Sequence, residues 1–174
     1  SHSAVAQSEP VSEARINRLI KQAWNDFKDS NFEKSLITSR VALNYATAAK
    51  NDNLIAKSYK VIAGNYNELS EIDKALFFYN KGLYYANKTD NDSIKYSLHN
   101  NIGNIYCFEK KQFDKGIDYY KKSIAYSLKT NNTLFWSIQP LQSNTLPRFI
   151  NLHYTHFYML VQGTQITRQH IGQH

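Results

Sequence analysis

Cysteine is nearly missing from this chain: Cys107 is the only one among 174 residues. That excludes an intramolecular disulfide and a cysteine-based zinc site, and it leaves the compartment open. No apolar run approaches the roughly 18 residues that a membrane-spanning helix needs. Acidic residues stop at Asp118. There is no glycine-rich phosphate loop and no Ser/His/Asp arrangement with supporting context. No segment alternates apolar and polar residues for long enough to make a strand. An enzymatic role is therefore not expected, and neither is a cofactor or a metal.

What the chain does have is basic charge: 21 Lys plus Arg against 14 Asp plus Glu, a net +7. Such a balance can point to nucleic acid or another anionic surface. Here the charges stand singly or in pairs (Lys110–Lys111, Lys121–Lys122), never in a run. Solvated helix faces explain that pattern, and a basic nucleic-acid-binding helical repeat protein is the alternative. The length suits one domain with a sizeable core. Residues 1–11 read as a leader. Ser1-His2 resembles the remnant of a cleaved tag, and Ala4-Val5-Ala6 before Gln7 has the small-x-small look of a signal-peptidase site. The expectation is an exported protein, on the periplasmic side of a bacterial envelope, with a cytoplasmic location as the alternative.

The strongest signal is repetition. "ELSEIDKALFFYNKGLYYA" at 68–86 returns as "EKKQFDKGIDYYKKSIAYS" at 109–127, and a fainter copy, "FEKSLITSRVALNYA", stands at 32–46. Aligned, Ser35, Ala75 and Gly116 coincide, as do Ala42, Gly82 and Ser123. Upstream, Ala23, Ala63 and Gly103 coincide, with Tyr66 and Tyr106 three residues after the last two. Small residues and aromatics at helical spacing are what closely packed helices need, because small residues let two backbones approach. A period near 40 residues is the signature of stacked repeats.

Each copy divides into two helices, the first running 12–29, 52–69 and 92–109 and the second 32–50, 71–88 and 112–130. "SNFE" (Ser30 to Glu33) and "SEID" (Ser70 to Asp73) read as capping boxes. "KNDN" and "KTDND" supply the breaks between copies, which span 12–50, 51–90 and 91–133. The fold expected is all-α.

The segments "YKVIAGNYNELSEIDKALFFYNKGL" and "LHNNIGNIYCFEKKQFDKGIDYYKKSI" resemble the tetratricopeptide-repeat (TPR) family in their order of large, small, tyrosine, then small and aromatic residues. The likeness covers residues 12–133. Copy one departs from it at Gln22 and Asp26, and the usual closing proline is missing throughout. The long period is similar to repeats in bacterial peptide-sensing regulators and in sensory regions of Bacteroidetes-type histidine kinases and helix-turn-helix regulators. The resemblance implies a right-handed superhelix of antiparallel hairpins whose concave face, lined by the first helices, holds a peptide or protein segment.

By register, the groove residues include Trp24, Lys57, Lys60, Asn67, Asn100 and Asn104. Asparagine amides both donate and accept, which suits the backbone of an extended peptide. Lys57 and Lys60 suit a carboxylate, and Trp24 an apolar anchor. The family's chaperone-tail clamp is poorly matched, because Ser97 and Asn101 stand where basic residues belong. No nucleic-acid partner and no membrane contact are expected, and self-association through the C-terminal face is left open. Residues 134–174 break the pattern. Pro140 and Pro147 interrupt a fourth copy, Lys, Asp and Glu vanish, and four of the six histidines appear, including His153 and His156. Either the natural reading frame is lost near residue 137 or the segment is an atypical cap. One helix near 147–162 is expected, with Phe149, Leu152, Phe157, Leu160 and Val161 on one side.

Overall fold

The computed structural model describes residues 11–130. The leader up to residue 10, the tail from 131, the helix expected over 147–162 and the histidines at 153 and 156 lie outside them. The described residues form six α-helices and one π turn in chain order. These are α1 (Glu13–Lys28), α2 (Phe32–Ala48), α3 (Asp52–Glu68), α4 (Ile72–Ala86), α5 (Asp92–Asn104), the π turn (Ile105–Glu109) and α6 (Phe113–Lys129). No strand occurs among the described residues, so this part is all-α, with boundaries within a few residues of those expected.

Helices pack in chain order, most extensively α1 on α2, α3 on α4 and α5 on α6. The small residues singled out by the repeat sit where these pairs meet. Ala23, Ala63 and Ala75 are fully buried, and Gly82, Gly103 and Gly116 are buried too. A Cβ at Gly103 would come within 2.8 Å of the Tyr120 ring, and one at Gly116 within 3.1 Å of the Gly103 carbonyl oxygen. Side chains there would force the backbones apart. Around the crossings, fully buried Leu54, Ile62, Leu98 and Ile102 each contribute roughly 1.5–3 kcal/mol.

The π turn explains why the copies are 40 and then 41 residues apart. Twelve residues separate Ala23 from Ser35 and Ala63 from Ala75, but thirteen separate Gly103 from Gly116. The extra residue is taken up by one widened turn at the end of α5, the usual form in which π geometry enters an α-helix. It carries Cys107 onto the partner helix, where its Sγ would overlap a Cβ at position 116. Gly116 is small because that sulfur occupies the space.

The capping boxes are not formed. Ser30 and Ser70 lie in the left-handed region (φ 61° and 60°), so they close the preceding helix and do not open the next one. Their N–H groups donate to Phe27 O and Asn67 O, and the following Asn31 and Glu71 N–H groups to Asp26 O and Tyr66 O. That pair of bonds is a Schellman closure, and it leaves no extended residue at which a serine could cap. Neither α2 nor α4 has a side-chain cap. The first helices differ: Ser12, Asn51 and Asn91 each accept from the N–H three residues on. Asn51 also donates to Glu13 (2.7 Å), and Asn91 to Asn53 (2.8 Å), the same bond one repeat later.

The aromatic residues repeat in the same way. Tyr66 stacks on Phe78 (5.3 Å between centroids) and Tyr106 on Tyr119 (5.5 Å). Tyr59 stacks on Phe78 and Tyr85, and His99, 40 residues on, contacts Tyr119 and Tyr126. His99 is buried, and its Nδ1 lies 2.8 Å from the Lys95 carbonyl oxygen. Burial lowers its pKa, with Lys122 acting in the same direction and the backbone bond opposing.

Candidate binding groove on the first helices

The site is built from α1 outward. Trp24 is 40% exposed and stacks on Phe27 one turn later, with centroids 5.1 Å apart. Phe27 reaches across to α3 and lies over Gly64, where an added Cβ would sit 3.4 Å from its ring. A mid-helix glycine normally weakens a helix; here it seats an aromatic ring from the neighbouring hairpin. Lys60, one turn before Gly64, places its Nζ 5.3 Å from the centre of the Trp24 ring. Trp24, Phe27 and Lys60 thus make an aromatic corner carrying a cation.

The cation is poorly solvated. Burial lowers the Lys60 pKa, and the charge of Lys57, three residues earlier, lowers it further. Neither lysine has a carboxylate within 4 Å among the described residues. An anionic group arriving here would offset the burial and the repulsion and raise the Lys60 pKa again.

On the other side of Gly64 lies the hydroxyl of Tyr79 from α4, 3.7 Å from the same Cβ position. Tyr79 is 4% exposed, and the Asn101 amide of α5 acts on its hydroxyl. Burial raises its pKa far above the usual phenol value, with Glu68 adding to the rise, so it stays a neutral hydroxyl. A polar point contributed by α4 and α5 therefore adjoins the aromatic corner contributed by α1 and α3.

Of the six residues expected in the groove, Trp24, Lys57 and Lys60 come together. Asn104 does not join them. Its amide oxygen accepts from the Tyr120 hydroxyl of α6 at 2.7 Å, so it is held against its own hairpin partner. The reason is Gly103: with no side chain there, the Tyr120 ring lies across the α5 backbone and its hydroxyl reaches the next residue. Asn100 is half-buried and makes no side-chain hydrogen bond. The Asn67 amide oxygen is buried without a hydrogen-bond partner. Such an acceptor costs roughly 1–3 kcal/mol until something donates to it. Asn101 is the copy-three asparagine that acts on the Tyr79 hydroxyl. Phe27 and Tyr79 were not legible as site residues, although Gly64 inside a helical pattern is the signal that something packs closely there.

No group of His, Cys, Asp and Glu suited to a metal occurs among the described residues. No described helix is long and apolar enough to cross a membrane. Compared with known proteins, this chain matches no family model, no curated protein and no solved structure.

Proposed function

We propose that this chain is a TPR-type module that binds a peptide or protein segment, the sensory or scaffolding region of a larger bacterial signalling or transcription-regulatory protein. In this reading the three hairpins wind into a right-handed superhelix, and the first helices line its concave face on the exported side of the envelope. The observation that carries the reading is the corner itself. An exposed tryptophan of the first repeat meets a desolvated lysine of the second, Lys60, with Lys57 and the neutral Tyr79 hydroxyl of that same second repeat beside it. An extended segment with an acidic side chain next to an apolar one complements it: the carboxylate to Lys57 and Lys60, the apolar group to Trp24 and Phe27. Binding energy at such sites concentrates in an aromatic anchor and in charges that become desolvated.

A peptide display library selected on the protein tests this reading. The selected sequences should pair an acidic residue with an apolar one, and Trp24→Ala and Lys60→Ala should each weaken them about tenfold or more. Selected sequences indifferent to both substitutions would contradict it.

A further inference from the structure

The second helices carry a pattern that the groove does not use. Lys74, Lys81 and Lys88 on and just past α4 are seven residues apart, and so are Lys115, Lys122 and Lys129 on α6. Seven residues are 20° short of two full turns and rise about 10.5 Å, so each set stands almost in line along its helix. All six are exposed, and all six lie over aromatic rings. Lys74 sits 5.6 Å from the Tyr66 centroid and Lys115 4.1 Å from Tyr106. Lys81 lies 5.5 Å from Phe77, Lys122 5.5 Å from Tyr119, Lys88 4.3 Å from Tyr84 and Lys129 5.3 Å from Tyr126. The rings hold each ammonium in place and leave its outer donors available.

Only Lys74 has a carboxylate beside it, Glu71 at 3.1 Å. Lys81, Lys88, Lys122 and Lys129 have none within 4 Å among the described residues. Asp52 acts on Lys88 from farther away. After Asp73, α4 carries no acid, and α6 carries none after Asp118. Between the α4 lysines stand Phe77 and Tyr84, 55% and 58% exposed, again seven residues apart. The first hairpin has no such strip: positions 34, 41 and 48 of α2 hold Lys, Val and Ala.

We propose that α4 and α6 each present a docking strip for an acidic amphipathic helix whose Asp or Glu side chains recur every seven residues, on α4 with an apolar residue between them to meet Phe77 and Tyr84. The charge of the strip calls for an anionic partner, and its heptad spacing matches the repeat of a helix laid along it. A second copy of this chain is the wrong occupant, since it carries net charge +7. Nucleic-acid phosphates and lipid headgroups are anionic too, but nothing in their spacing selects a heptad. The strip does not depend on the first-helix groove.

The test uses the full chain and two fluorescent peptides of identical composition. One carries Glu at every seventh position with Leu between; the other has the same residues shuffled but remains helical. The heptad peptide should bind about tenfold more tightly than the shuffled one, and the preference should shrink as salt rises. Lys81→Glu with Lys122→Glu should abolish binding while far-ultraviolet circular dichroism and Tm stay those of the parent. Lys81→Gln with Lys122→Gln should give a partial loss, and Trp24→Ala no loss. Equal affinity for both peptides would overturn the proposal. So would displacement of the heptad peptide by phosphatidylserine vesicles or a single-stranded oligonucleotide at lower concentration than the unlabelled peptide itself requires.

Discussion

In the second and third hairpins the first helix offers a tyrosine ring to a lysine on the second: Tyr66 to Lys74 and Tyr106 to Lys115. In the first hairpin the same two positions hold Asp26 and Lys34, which form an ion pair at 3.0 Å. The lysine keeps its place and its partner changes chemistry. The rest of the neighbourhood changes with it: Thr38 stands where Phe78 and Tyr119 stack, and Leu19 where Tyr59 and His99 lie. A buried polar chain also ties the first hairpin to the second. Asn65 donates to Ser35 Oγ, and Ser35 donates to the Ala23 carbonyl, both at 2.8 Å. What the repeats share is the closeness of the backbones. What fills the space beside them is free to vary.

That comparison can be broken most severely at the shared positions. Ala75→Phe forces a ring into the α3–α4 crossing, where residue 75 has no exposed surface, and should cost about 3 kcal/mol or more. A Tm equal to the parent's would contradict the crossing. Gly116→Ala probes the same position in the third hairpin, where the new Cβ collides with Cys107 Sγ. A loss of roughly 1–3 kcal/mol is expected. Adding Cys107→Ala should recover part of it in urea unfolding, because the sulfur is the nearest obstacle. Failure to recover anything would move the blame to the Gly103 backbone.

The lysine position sharpens the contrast between hairpins. Lys34→Ala leaves Asp26, only 7% exposed and with Oδ2 already unpartnered, without its counterion. Because Lys34 itself is well exposed, the cost should be about 1–2 kcal/mol, well below that of breaking a fully buried pair. Lys115→Ala removes an exposed cation over a ring and should cost distinctly less than Lys34→Ala. Equal losses would mean the two arrangements are interchangeable.

The smallest expected effect depends on pH. The His99 pKa is lowered in the folded state, chiefly by burial, so the unfolded chain binds its proton first as the medium acidifies. Its contribution is complete above the ordinary histidine pKa near 6.5 and is lost as pH falls through the lowered folded value. His99→Tyr, which copies the Tyr59 arrangement of the second hairpin, should flatten Tm between pH 7 and 5 relative to the parent. An undiminished slope would assign the titration elsewhere.

The helices and their crossings could be read from the sequence because they rest on periodicity and on small residues, both of which survive alignment of the copies. The turns inside the first two hairpins could not. A serine before an acidic residue reads as a cap, but three-residue connections between helices put Ser30 and Ser70 in left-handed backbone instead. That Trp24 and Lys57 lie near Lys60 followed from register alone. The place of Asn104 did not, because the contact that removes it depends on Tyr120 lying across a glycine in the same hairpin. The lysine strip was hidden for a related reason. Its members are far apart in sequence and look scattered until two helices bring them into rows.

In the proposed function the first helices form the surface that receives a ligand. The most direct test is a nuclear magnetic resonance titration of the full chain with a display-selected peptide. The Trp24 indole and the amides around Lys57, Lys60, Gly64 and Asn101 should shift together and saturate at one affinity. Shifts confined to α2, α4 and α6, with the Trp24 indole unmoved, would contradict it.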